Sequence, residues 1–188
     1  MKTSLLSALQ AQFADSAKSL RRTQTIALTG LLLAVQMALS SYGSLRLTES
    51  LWISLGHLAL APTAMLFGPV VAAAQGALND VLSFLVRPSG PYFPGFTLSA
   101  LLSGLIYGVG LYRPSPKIWH IALTRAVVVV LLNILLNTVF LVMLYGPAQW
   151  AAMPARALRS CLQFPVDCVL LAAVLRLVRR IPMQPGVR

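Results

Sequence analysis

The chain has 188 residues, of which 57% are hydrophobic and only 10% charged. A water-facing surface, commonly a quarter or more charged, cannot be built from that composition, so a soluble globular fold is excluded and the chain reads as an integral membrane protein. Fifteen Lys and Arg against four Asp and Glu give a formal charge of +11, yet the basic residues fall mostly between apolar runs without the interleaved aromatics that stack bases, which argues against nucleic acid as a partner.

The N-terminal segment, residues 1–24, is too weakly apolar for a cleavable signal peptide and carries Asp15 and Lys18. Leu5, Leu6, Leu9, Phe13, Ala17 and Leu20 recur at helical spacing, which suggests an amphipathic helix on the inner leaflet, with a disordered leader as the alternative. Residues 25–180 form the membrane domain, and 181–188 a short cytoplasmic tail.

A bilayer core requires about 20 apolar residues per helical span. Six spans are predicted: Ile26 to Gly43, Leu51 to Phe67, Pro69 to Val86, Phe96 to Tyr112, Ile118 to Tyr145 and Ala157 to Val178. The second and third belong to one uncharged run, divided at Phe67 to Pro69 because Gly-Pro is a natural break; five spans with one bent helix are the alternative. The expected fold is therefore an all-α bundle of six transmembrane helices in the cell membrane. With the N-terminus inside, Lys2, Lys18, Arg21, Arg22, Arg113, Lys117, Arg176, Arg179, Arg180 and Arg188 lie inside, against Arg46, Arg87, Arg156 and Arg159 outside, which places both termini in the cytoplasm.

Polar residues within spans are costly and need a partner or a purpose. Counting about 1.5 Å per residue brings Asp80, Thr97, Ser99, Asn133, Asn137, Gln163, Asp167 and His57 to the outer half of the bilayer, with Asn133 and Asn137 on one helical face. With the aromatics Trp52, Tyr92, Phe93 and Phe96 they suggest a pocket open to the outside. The alternative is that these groups only cross-link helices. Arg125, near the inner end of its span, is expected to snorkel to the cytoplasmic interface.

The stretch RPSGPYFPGFT, Arg87 to Thr97, reads as a loop folded over the pocket mouth, with Pro94 in the first turn of the next helix. SYGSLRLTES, Ser40 to Ser50, is a candidate second flap. Gly30, Ala34 and Ala38 lie four apart on the first span, a close-packing pattern of membrane helices.

No lysine follows a glycine, so the phosphate-cradling ATP loop is absent, as are HExxH and GxSxG motifs. Cys161 and Cys168, two turns apart on one helix, are too distant to bridge each other and read as packing residues. No catalytic residue, metal site or cofactor is expected.

MLFGPVVAAAQGALNDVLSFL (Met65 to Leu85), GPYFPGFTLSALLSGLIYG (Gly90 to Gly108) and the R-x7-N-x3-NT pattern from Arg125 to Thr138 resemble the substrate-binding S component of energy-coupling-factor (ECF) vitamin transporters, and most of all the folate-specific branch. The resemblance covers about Ile26 to Arg180. It implies a protein that binds a vitamin from outside and delivers it by reorienting while docked on a transmembrane T component with two ATP-hydrolysing subunits. It further implies that Ala34 and Ala38, with Gly30, dock on the T component. The folate branch often carries a basic residue near the end of the first span, where this chain reads SSYG, so Arg46 or Arg87 would supply the charge for a glutamate carboxylate. Under this reading Trp52, Phe93 and Phe96 enclose a pterin ring, and Asp80, Thr97 and Asn137 bond its edges, with Tyr92 and Asn133 completing the lining. The alternatives are an S component for another vitamin or modified-base precursor, and, from another class, a membrane scaffold or assembly protein without a ligand.

Overall fold

The computed structural model describes residues 2–41, 45–48, 51–53, 55–88, 91–112 and 118–180. Eight α-helices carry the fold: α1 (Lys2–Ser19), α2 (Thr23–Ser41), α3 (His57–Phe67), α4 (Pro69–Val86), α5 (Pro94–Leu111), α6 (Ile118–Val127), α7 (Asn137–Tyr145) and α8 (Met153–Arg180). A π-helical segment, Val128–Leu136, joins α6 to α7 into one 28-residue span, and a 3-10 turn, Pro147–Ala152, leads into α8. Between α2 and α3 lies a short antiparallel hairpin, β1 (Leu45–Thr48) and β2 (Leu51–Ile53), pairing Leu45 with Ile53 and Arg46 with Trp52. The predicted tail 181–188 lies outside the described residues.

Among the described residues five helices are long and apolar enough to cross a membrane: α2, α4, α5, the Ile118–Tyr145 span and α8. The predicted second span needs correction. Leu51–Ile53 is a strand, and α3 has only 11 residues, about 16 Å of helix against a hydrocarbon core of about 30 Å. The β-branched and aromatic residues before it suit an extended strand. α3 also tolerates its short length because it is enclosed: nine of its residues, from Leu58 to Phe67, are buried against neighbouring helices. Around it the core gathers Tyr107 and Leu111 of α5, Ile121 of α6, Val128 and Leu132 of the π segment, and Leu171 and Leu175 of α8.

The chain breaks between α3 and α4 at Gly68, as the Gly-Pro pair predicts. Its φ of +84° favours glycine, and Pro69 opens α4, where a missing N–H costs nothing. α1 is fastened to this break by one buried side chain. The Ser16 hydroxyl donates to Phe67 O at 2.6 Å and accepts from the Val70 and Val71 amides at 3.0 and 3.3 Å. It thereby caps a helix from another part of the chain. Leu9 and Phe13 remain more than a third exposed. At the same end, burial, and secondarily the Asp15 carboxylate, raises the Tyr112 phenol above its ordinary pKa.

α4 and α5 form the tightest pair. A Cβ at Gly76 would lie 2.4 Å from Ala100 O, one at Gly104 2.2 Å from Ala72 O, and one at Gly108 2.2 Å from Pro69 Cα. Three glycines thus let two backbones touch, the close-approach packing that bundles in lipid rely on. α2 is inverted relative to a soluble helix: Thr25 and Gln36 are buried, whereas Ile26, Leu31 and Val35 are exposed.

Candidate functional site

The α4–α5 contact fixes the first part of the site. It sets Asp80, in the C-terminal half of α4, opposite Thr97 in the first turn of α5, where Pro94 starts the helix and Phe93 is still extended. The Thr97 hydroxyl donates to Asp80 Oδ2 at 2.7 Å. Having given its only proton to the carboxylate, Thr97 accepts from the Tyr92 hydroxyl at 2.8 Å. Tyr92 also packs on Phe84, with ring centroids 5.1 Å apart. The proline-rich loop is therefore tied to both helices at its α5 end.

Beside this relay opens a cavity of about 420 Å³, within the usual range for small-molecule sites. One wall is polar, with Ser40 of α2 and Asp80, Ser83 and Arg87 of α4. The apolar part of the lining comes from Phe93, Phe96 and the C-terminal half of α7, including Leu141 and Leu144. Phe93, Phe96 and Phe140 pack edge to face at centroid distances of 5.4–6.2 Å, a rigid aromatic corner. Gly95 allows it, since a Cβ there would meet the Phe93 ring at 2.3 Å.

Of the residues predicted for the pocket, Asp80, Arg87, Tyr92, Phe93 and Phe96 line the cavity, and Thr97 bonds two of them. Arg87 is exposed. Asn137 lies one turn beneath Leu141, its Oδ1 buried without a hydrogen-bond partner. The side chain of Trp52 lies outside the described residues, as does that of Arg46. Asn133 is exposed and lies outside the lining of this cavity.

The polar groups of the spans also fail to converge on one place. Arg125 is buried rather than anchored at an interface. Its Nε and Nη2 donate to Asp167 Oδ2 at 3.2 and 2.5 Å, and its Nη1 donates to the Tyr107 hydroxyl at 3.0 Å. His57 Nε2 stands 3.3 Å from the other Asp167 oxygen, and Gln163 donates to that oxygen at 3.3 Å. None of these five residues lines the cavity. A buried guanidinium needs a paired carboxylate, and α8 supplies it, so this cluster ties α3, α5, α6 and α8 together. A third polar contact, Gln75 Nε2 donating to Gln36 Oε1 at 2.8 Å, joins α4 to α2.

Sequence reasoning missed Ser83, Phe84 and Ser40 as lining residues. Ser83 and Phe84 were legible, lying three and four residues after Asp80 on the same helix face. Among the described residues no group of three or more His, Cys, Asp or Glu side chains could hold a metal ion. The predicted docking residues Gly30, Ala34 and Ala38 are all exposed, and a Cβ at Gly30 would meet nothing within 4 Å. Among the described residues none covers these three positions of α2.

Residues 21–179 match the family model described as "ECF-type riboflavin transporter, S component". The chain is 33% identical over 137 residues to a folate transporter FolT of Clostridium novyi, covering 73% of this chain and 80% of that protein. It is 29% identical over 154 residues to a folate transporter FolT of Leuconostoc mesenteroides, covering 77% and 80%. A crystal structure of FolT bound with folic acid superposes with a TM-score of 0.72 at 34% identity, over 85% of this chain and 94% of that one. A multi-pass arrangement of apolar helices, a polar and aromatic cavity at one end and these likenesses lead to one conclusion: the chain belongs to the family of S components of ECF-type transporters, integral proteins of the cell membrane.

Proposed function

We propose that this protein binds folate from outside the cell and delivers it across the membrane together with a T component and two ATP-hydrolysing subunits. The observation that carries the folate reading is the likeness, at 34% identity over 85% of the chain, to a structure holding folic acid. The cavity suits such a ligand. Phe93 and Phe96 offer apolar faces to a flat ring, and Asp80 and Asn137 offer hydrogen bonds to its edges, with Thr97 and Tyr92 orienting Asp80. Arg87 at the cavity edge gives the glutamate carboxylates an opposite charge.

The cavity end faces outside in this reading, and both termini lie in the cytoplasm, following the excess of Lys and Arg on the inner segments. Gly30, Ala34 and Ala38 on the uncovered face of α2 dock on the T component, whose helices approach closely because these side chains are small. The chain contributes recognition, and the energy comes from the partner subunits, which accords with the lack of a phosphate-binding loop in the sequence.

A second reading is favoured by the description of the family model, which names riboflavin. Both vitamins are flat heteroaromatics, so the cargo has to be measured. Titration of the detergent-purified protein with folic acid and with riboflavin, followed by thermal stabilisation, decides it. Folic acid should raise the melting temperature with a saturating dependence and riboflavin should not. Stabilisation by riboflavin alone would replace folate as the cargo, and stabilisation by neither would leave a scaffold as the better account.

A further inference from the structure

Four helices meet at the cavity, and each carries a polar residue one helical turn beneath a residue that lines it. On α2 Gln36 lies four residues below Ser40; on α4 Asn79 lies four below Ser83. On α5, which runs the other way, Ser99 lies three beyond Phe96; on α7 Asn137 lies four below Leu141. One turn is about 5.4 Å, so these four residues share a level just under the cavity floor. In an apolar bundle such a level would ordinarily be filled by Leu, Val or Ala.

The hydrogen-bonding state of this level is the second observation. Asn79 Oδ1, Ser99 Oγ and Asn137 Oδ1 are all buried without a hydrogen-bond partner, and so is Ser83 Oγ above Asn79. Gln36 is bonded to Gln75, which is fully buried and whose own Oε1 has no partner. Buried polar atoms are nearly always paired, and each unpaired one is costly. Several at one level, from separate helices, describe a surface whose partners come with an occupant. Directly above stands the Phe93, Phe96 and Phe140 corner, which presents apolar ring surface.

We infer that this polar tier, Asn79 and Ser99 above all, determines specificity by reading the hydrogen-bonding edge of a flat heteroaromatic ring inserted edge-down against the aromatic corner. The acidic tail of the ligand is then left at the cavity edge beside Arg87. The inference rests on the folate reading above and adds an orientation and residues to it. A pterin carries along one edge a ring carbonyl, a ring N–H and an amino group, an array of acceptor and donors that amide and hydroxyl groups can match. The aromatic faces hold any flat ring, whereas the tier discriminates between rings by their edges, since a site built to hydrogen-bond rejects a ligand that leaves its groups unpaired.

The test compares folic acid with aminopterin, which differs at that edge by an amino group in place of the ring carbonyl. Both are titrated by equilibrium binding onto the purified full chain, wild type, Asn79→Leu and Ser99→Ala. Losing one matched hydrogen bond should weaken folic acid binding about five- to a hundred-fold. The ratio of the two affinities should move towards one, because the changed side chain no longer distinguishes carbonyl from amino group. Ser99→Ala removes a single oxygen and guards against a misfolded Asn79→Leu. If wild type binds folic acid but the ratio stays constant in both variants, the tier is structural or holds only water, and the inference is overturned. If wild type does not bind folic acid, the functional reading itself falls and the pterin assignment with it.

Discussion

Removing the Arg125 guanidinium should be among the costliest single changes in this chain. Arg125 makes two hydrogen bonds to Asp167 and one to Tyr107, and both charged residues are nearly inaccessible, at 6% and 1% exposure. Arg125→Met keeps the apolar stem but leaves a carboxylate buried with His57 and Gln163 as its remaining neighbours. Breaking a buried pair from one side typically costs about 3–5 kcal/mol, whereas replacing both partners by apolar groups is often close to neutral. For a chain of this length that loss corresponds to a fall in melting temperature of roughly 6–20 °C. The double variant Arg125→Met, Asp167→Leu should therefore be more stable than Arg125→Met alone. Thermal unfolding of the four members of this cycle in one detergent, followed by tryptophan fluorescence, measures the coupling directly. Folic acid affinity should stay within about threefold in the double variant, because neither residue lines the cavity. Strictly additive losses, or a double variant less stable than either single one, would refute the view that the cluster is a mutually neutralising tie between helices.

Three other changes test separate features. Gly108→Val drives a side chain into the Pro69 backbone and should cost about 1–3 kcal/mol or more of stability, while Gly30→Ala, in mid-helix with nothing within 4 Å, should not lower the melting temperature and should raise it slightly. Ser16→Ala strands the Val70 and Val71 amides and should lower stability by about 1–2 kcal/mol with ligand affinity preserved; an unchanged melting temperature would remove Ser16 as the fastening of α1. Ala34→Trp and Ala38→Trp should abolish folate uptake by cells while sparing binding to the purified protein, and co-purification of the T component with both variants would move the docking face elsewhere.

Much of the architecture was legible because lipid imposes a simple rule on composition and because a few residues punctuate the backbone. Gly68 and Pro69 divided the long apolar run at the right place, and Pro94 opened α5 as its missing N–H requires. Asp80 and Thr97 could be brought together by counting turns from those two breaks. The hairpin was not legible as strands: Leu51–Ile53 is as apolar as the helix that follows, and hydropathy cannot separate the two. The π segment Val128–Leu136 was not legible either, since no proline or glycine announces the change of helix type. Arg125 could have been placed better. An arginine and an aspartate on two different spans each carry a cost that pairing removes, and that argument outweighs the reach of a long side chain to an interface.

The enclosure of α3 has a consequence for biogenesis. At 11 residues it is too short to span the hydrocarbon by itself, and apart from His57 and Thr63 its side chains are apolar, which leaves no broad water-facing stripe to rest at the headgroups. A nascent chain ending near Phe67 therefore holds a segment that neither partitions stably across the bilayer nor settles on it. Its seat requires α4 and α5, which close together on their glycines and follow it in the chain, so an early segment is enclosed by later ones.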